Sequence, residues 1–270
     1  MKKVSILGCG WFGVALAKHL LQLDYQINGS ATSADKVEAL NREGIKGHVI
    51  RLDGADSVDV TADFWVCDAL VIASNVRLVG NNGYISGLKG VAEIIKIKEI
   101  KRVIFISSTS VYGDPNGIVD EDFSPAPETP SAKQLLELEG FFTINDAFET
   151  VILRFGGLVG PGRMPGSFLS GKKDISNGLA PVNLIHLSDC IGIVTHLLEL
   201  SNPPVYLNGV APDHPTRELF YTTAADVKQL PLPLFVSEKS SWKVVKSKFN
   251  DEFSYRYQYS DWMKWLGSPA

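Results

Sequence analysis

Val4-Ser5-Ile6-Leu7-Gly8-Cys9-Gly10-Trp11-Phe12-Gly13 decides the reading of this chain. Val4 to Leu7 is a short apolar strand, and Gly8, Gly10 and Gly13 follow it in G-x-G-x-x-G spacing. Val14 to Leu23 then runs as an uninterrupted apolar helix. Gly8 permits the tight turn, Gly10 lets a pyrophosphate approach the backbone, and Gly13 lets the helix pack on the strand. The helix N-terminus, with its N–H groups and positive dipole end, suits phosphate oxygens. The expectation is a dinucleotide site over Gly8, Gly10, Trp11, Phe12 and Gly13.

Outward from the turn, strands and helices alternate. Strands are expected at Tyr25–Ala31, Gly47–Leu52, Ala69–Ala73, Arg102–Ile106 and Thr150–Arg154. Helices are expected at Asp35–Glu43, Gly83–Ile97 and Lys133–Phe142. This alternation implies an α/β fold with a doubly wound parallel sheet of Rossmann type. Runs such as Val103-Ile104-Phe105-Ile106 suit strands covered on both faces. Gly156 to Pro181 is rich in glycine and proline and reads as a loop excursion. The remainder carries a short strand at Val205–Leu207, a helix from Arg217 to Leu230 and the aromatics Trp242, Tyr255, Tyr257, Tyr259, Trp262 and Trp265. The expected organisation is a nucleotide-binding domain, 1–155 plus 182–200, and a small C-terminal α+β lobe, 156–181 plus 201–270, with those aromatics as its core.

Composition narrows the function. The chain has 270 residues, 45% hydrophobic and 21% charged, with a net charge of −4. That balance fits a globular protein and argues against nucleic-acid or anionic-membrane partners. No apolar run approaches the length of a membrane span. Cys9, Cys67 and Cys190 are far apart and without ligand spacing, so no metal site is expected and a reducing cytoplasm is the expected compartment. Cys9, inside the phosphate turn, is a candidate for oxidation. The expected partner is a small-molecule substrate, with the chain a monomer or homodimer.

Three further blocks follow in order: Ser107-Ser108-Thr109-Ser110-Val111-Tyr112-Gly113, Arg154-Phe155-Gly156-Gly157-Leu158-Val159-Gly160-Pro161-Gly162-Arg163, and Pro181-Val182-Asn183-Leu184-Ile185-His186-Leu187-Ser188-Asp189-Cys190. With the glycine turn they resemble the extended short-chain dehydrogenase/reductase superfamily, of the NAD(P)-dependent epimerase/dehydratase type. That resemblance implies NADP or NAD as cofactor and oxidoreductase or isomerase chemistry on a small polar, possibly sugar-like, substrate. It assigns Ser108 to the substrate oxygen and predicts a Tyr-x-x-x-Lys on the next helix.

The Tyr is missing. With Lys133 as the Lys, Thr129 stands in the Tyr place; in the alternative register Ser131 takes the Tyr place and Leu135 that of the Lys. Neither hydroxyl has the pKa of a proton carrier. Tyr84 and Tyr112 are candidates for the lost phenol, and Arg163 and His186 for substrate contacts. Asp189 is expected to cap the helix after it. A catalytically silent NAD(P)-binding redox sensor or regulatory protein is the alternative.

For the nucleotide, Ala31 stands where an acid would hold an NAD ribose. Thr32, Ser33 and Lys36 suit a 2′-phosphate, so NADP is expected over NAD, although this chain lacks the Arg that many relatives carry near Thr32. Asp53 is expected near the adenine. Ala73 and Ser74, after the fourth strand, are further candidates for cofactor contact.

Overall fold

A computed structural model describes residues 2–54, 59–73, 82–237, 242–253 and 255–268. Ser74 lies outside them. β1 (Lys3–Leu7) leads through the glycine turn into α1 (Trp11–Gln22). The helix buries Phe12, Leu16, Ala17 and Leu20 on one face, the spacing of an amphipathic element. It stops at Leu23, where Asp24 takes a left-handed φ of 60°. β2 (Gln26–Ala31), α2 (Ala34–Arg42), β3 (Lys46–Val49) and β4 (Ala69–Ile72) follow. Then come α3 (Asn82–Ile97), β5 (Arg102–Ser108), β6 (Gly117–Val119), α4 (Pro130–Thr143), β7 (Glu149–Phe155), β8 (Gly157–Val159) and β9 (Leu184–His186). The chain closes with α5 (Leu187–Glu199), β10 (Tyr206–Gly209), α6 (Arg217–Val227), β11 (Lys243–Val245), α7 (Lys248–Glu252) and α8 (Trp262–Leu266).

Seven strands form one sheet in the order β10-β7-β5-β4-β1-β2-β3. β1 pairs in parallel with both of its neighbours, with Val4 opposite Ile27 on one side and Ala69 on the other. The chain therefore winds outward from β1 in both directions, and the carboxyl end of β1 is the switch point where such sheets open a ligand crevice. The expected doubly wound α/β fold is present. β3 is shorter than expected because its ladder with β2 ends at the pair Ala31 and Val49. Residues 50–52 continue past the ladder toward the crevice.

By its contacts the chain divides into two compact units, 1–108 with 129–153 and 194–206, and 109–128 with 154–193 and 207–270. Segments 109–128, 154–155 and 182–193, expected with the nucleotide domain, group with the second unit; 201–206 groups with the first. The first unit has a core of Leu7, Phe64, Trp65, Ile72, Leu88, Phe105 and Phe142, all at most 3% exposed. Burying each such side chain is worth about 1.5–3 kcal/mol.

In the second unit, Trp262 packs edge-on against Trp265 and Phe220, and Tyr255 against Tyr257 and Phe249. Trp242 is not part of this core, being 45% exposed. The 156–181 excursion is more ordered than a loop, because β8 pairs with β9 in parallel. Asp189 does not cap α5: it lies in that helix's first turn. Its carboxylate accepts from the N–H groups of Gln258 and Tyr259 and the Tyr255 hydroxyl, so it anchors the C-terminal segment.

Candidate nucleotide-binding and active site

The glycine turn is held by the neighbouring strand. Ser30 at the end of β2 accepts the Gly8 N–H on its hydroxyl at 2.9 Å and the Cys9 N–H on its carbonyl at 2.9 Å. Gly8 has a φ of 105°, a region that L-residues avoid. A Cβ on Gly13 would collide with the Gly8 carbonyl, the close helix–strand approach expected there. A Cβ on Gly10 would meet nothing within 4 Å. Gly10 is the N-cap of α1, makes no side-chain cap bond and has no acid in the turn that follows. Open space at a glycine that begins a helix fits a pyrophosphate.

Beside this turn lies a cavity of about 270 Å³, lined by Gly8, Ala31, Thr32, Arg51, Asp53 and Tyr84 among others. Its walls are the ends of β1, β2 and the segment after β3. A Cβ on Gly83 would come 2.7 Å from the Asp53 carbonyl, and one on Gly87 within 3.0 Å of the Leu52 backbone. These two glycines let α3 close against the segment after β3. Ala73 ties β4 to β1, its N–H donating to the Leu7 carbonyl at 2.9 Å. Thr32, half-buried Ser33 and exposed Lys36 stand at the start of α2. Arg51 was not singled out in the sequence. Its Nε donates to the Thr32 carbonyl at 2.9 Å, bringing a guanidinium to the place where the local stretch after β2 lacks one.

Cys9 is no redox candidate: burial pushes its thiol up to about 12, and a protonated thiol is a poor nucleophile.

The family is decided by a match of residues 4–199 to the model described as the NAD dependent epimerase/dehydratase family. The chain belongs to that family. Protein YeeZ of Escherichia coli K12 is 38% identical over 271 residues, covering 97% of each chain. Among solved structures, a functionally unknown conserved protein from Silicibacter pomeroyi has a TM-score of 0.81 at 21% identity, covering 98% of this chain and 97% of its own. UDP-glucuronic acid 4-epimerase from Bacillus cereus, in complex with NAD, has a TM-score of 0.79 at 20% identity, covering 97% and 94%. The chain is thus an NAD(P)-binding protein of the epimerase/dehydratase type.

The structure sorts the remaining epimerase/dehydratase residues. Ser108 ends β5, half-buried. Its neighbour Ser107 donates its hydroxyl to Glu139, a fully buried carboxylate on α4. On α4, Ser131, Leu135 and Glu139 recur every four residues and share one face. Because Glu139 turns that face to β5, the register with Ser131 and Leu135 in the Tyr and Lys places is the one facing the sheet. Lys133 is a correction: it is exposed, on the side of Glu137, which pairs with Lys89 at 2.8 Å. Thr129 is the N-cap of α4, its hydroxyl accepting the Ala132 N–H at 3.2 Å and lying 3.3 Å from the Ser131 hydroxyl. Pro130 follows at the first helical position, where its missing N–H costs nothing.

The two candidate tyrosines sit in different surroundings. Tyr112 is fully buried; its hydroxyl donates to Asn208 at 2.9 Å and accepts from Arg154 at 3.0 Å, with that guanidinium 4.9 Å from its ring. Burial raises its pKa, against the opposing Arg154 charge. Tyr84 lines the cavity beside the glycine turn.

His186 is also a correction. It is buried, its ring centroid lies 3.8 Å from that of Tyr259 at a tilt of 42°, and its Nδ1 accepts the Ser188 N–H at 3.2 Å. Burial lowers its pKa to about 4, so it is a neutral packing residue. Arg163 is half-buried in a turn closed by its N–H on the Gly160 carbonyl at 2.9 Å. Among the described residues, no group of three or more His, Cys, Asp or Glu gathers at metal-binding distance. No described helix is long and apolar enough to cross a membrane.

Proposed function

We propose that this chain is a cytoplasmic NADP-preferring oxidoreductase or isomerase acting on a small polar, sugar-like carbonyl or alcohol. The observation that carries the reading is the open space at Gly10 where the glycine turn meets the start of α1, beside a cavity of about 270 Å³. Gly8 to Gly13 would hold the pyrophosphate, Asp53 and Tyr84 the adenine side, and Ala73 would border the crevice. When bound, the nicotinamide supplies a hydride acceptor or donor. Ser108 then orients and polarises the substrate oxygen. The proton is exchanged with water, and the Ser131 and Thr129 hydroxyls, 3.3 Å apart, relay it along hydrogen bonds without ionising, since neither has the pKa to be the acid or base itself. The relatives' names support a sugar-like substrate, one being a UDP-glucuronic acid 4-epimerase in complex with NAD. Arg163 is proposed as a clamp for an anionic group on it.

A silent NAD(P)-binding protein is the second reading, favoured by Leu135 in the place of the catalytic Lys. The inert Cys9 thiol removes one route to redox sensing. Incubating the protein and NADPH with a panel of small aldehydes, ketones and nucleotide sugars separates the two. Turnover above the nucleotide-only rate supports the enzyme. Tight NADPH binding with no turnover across the panel favours the silent protein.

A further inference from the structure

A second cavity lies at the other end of the same strands. It measures about 460 Å³ and opens where β1, β2 and β3 begin, with Lys3, Asn28, Lys46 and Asp63 on its wall. The three strands run in parallel, so it lies one strand length from the glycine turn, at the end opposite the crevice. Its volume is that of an ordinary small-molecule site. The most buried polar residue on the wall is Asn28, 4% exposed. The Asn28 Nδ2 donates to the Ser5 Oγ at 3.1 Å and to the Phe64 carbonyl at 3.4 Å. Ser5 gives its own proton to that carbonyl at 2.5 Å, so both neighbours act as acceptors and the amide nitrogen has to face them. The amide oxygen is left on the cavity side, and it accepts no hydrogen bond among the described residues. The Lys3 ammonium makes no ion pair among the described residues. Lys46 meets Asp63 at 2.9 Å, but both side chains are more than half exposed, a pair that contributes little in water. Leu21, Ile27 and Val66 supply the apolar part of the wall.

We infer that this cavity is a second ligand site, separate from the nucleotide crevice, for a small polyol phosphate. The phosphate lies against Lys3 and Lys46, a hydroxyl donates to the Asn28 amide oxygen, and the carbon chain covers Ile27 and Val66. Charge decides the sign of the ligand, because two ammonium groups share the wall with one carboxylate. Ammonium groups hold phosphate as point charges and need no fixed fork. A hydroxyl is the donor that the Asn28 oxygen lacks, and a buried acceptor left without one carries a cost.

Calorimetry on the intact protein at constant ionic strength tests this, with glucose 6-phosphate as the probe and inorganic phosphate and glucose as its two halves. Glucose 6-phosphate is expected to bind once per chain, about tenfold or more tightly than either half, and equally well with NADP present. Lys3→Gln should weaken it by about tenfold, the low end for a hydrogen bond to a charged group. Lys3→Arg should restore most of that affinity. NADP affinity in both variants should stay within about twofold of wild type, as for a distant, independent site. The Lys3 side chain is partly exposed, and an unchanged melting curve verifies that the variants are folded. Glucose 6-phosphate binding no tighter than inorganic phosphate would overturn the polyol assignment at Asn28. Absence of saturable binding to wild type, displacement of the probe by NADP, or unchanged affinity in Lys3→Gln would overturn the site. Each of these results leaves the nucleotide reading of the glycine turn standing.

Discussion

Two corners of the first unit have kept different things. At the glycine turn the recognition is made by backbone: Gly8 in a left-handed φ, Gly13 in contact range of the Gly8 carbonyl, Gly10 open above α1. All of it is present. At the corner of β5 and α4 the recognition is made by side chains, and there the pattern has been rewritten. Ser108 remains, but the face that Glu139 turns toward β5 offers Ser131 and Leu135. Binding machinery built from backbone geometry is robust to side-chain change, because it needs only an absence of Cβ atoms. Proton chemistry needs one phenol in one place, and a hydroxyl cannot supply its pKa. The difference teaches that nucleotide binding and chemistry are separable claims for this chain.

The sharpest way to break the comparison is at Ser108. Once a substrate is found, Ser108→Ala should lower kcat by about 10²–10⁴, the usual worth of a positioned acid–base group. Lys133→Ala, on the exposed side of α4, should leave kcat within about twofold. Steady-state kinetics on the two variants decides which α4 register is used. A large loss at Lys133 with none at Ser108 would reverse the assignment.

The second prediction concerns the unit that does not hold the turn. His186 has its pKa lowered by burial to about 4, below its ordinary 6.5. The unfolded chain therefore binds more protons between these values, and stability rises with pH across that window. Its contribution is complete above about pH 6.5 and is lost as pH falls toward 4, by roughly 1–3 kcal/mol. Urea unfolding at pH 4.5 and 7.5 should show this slope in wild type and a flatter one in His186→Gln. Identical slopes would mean that the buried imidazole is not what titrates.

The smallest expected effect is at Thr129. As an N-cap, its replacement by Ala should cost about 1 kcal/mol of stability, measurable by thermal melting. Thr129→Ser should keep the cap and recover most of that loss. A drop in kcat larger in Thr129→Ala than in Thr129→Ser, at equal cofactor affinity, would show the hydroxyl relay at work beyond capping.

What was legible in the sequence is what depends on neighbours in the chain. The glycine spacing names its turn because strand, turn and helix are contiguous, and the strand–helix alternation gives the parallel sheet for the same reason. What could not be read depends on partners far away. Arg51 reaches the nucleotide loop through a strand register between β2 and β3 that no local pattern encodes; the one available signal was a lone cation just after β3. Tyr112 looks like a neighbour of Ser108, yet its place is set by Asn208 and Arg154, 96 and 42 residues away. Spacing left two α4 registers open, and a contact between Ser107 and Glu139, 32 residues apart, separates them. Trp242 shares its composition with a core aromatic, but exposure is not written in residue type.

The central claim is that the backbone at Gly8 to Gly13 holds a dinucleotide pyrophosphate. Calorimetric titration of NADP into wild type and Gly10→Val, at matched melting temperatures, tests it most directly. A Cβ at Gly10 meets no protein atom within 4 Å, so the variant should fold as wild type does while its branched side chain fills the phosphate path. The account predicts saturable binding to wild type and at least a hundredfold weaker binding to the variant. Equal affinity in the two proteins, or no binding of NADP or NAD to wild type, would contradict it.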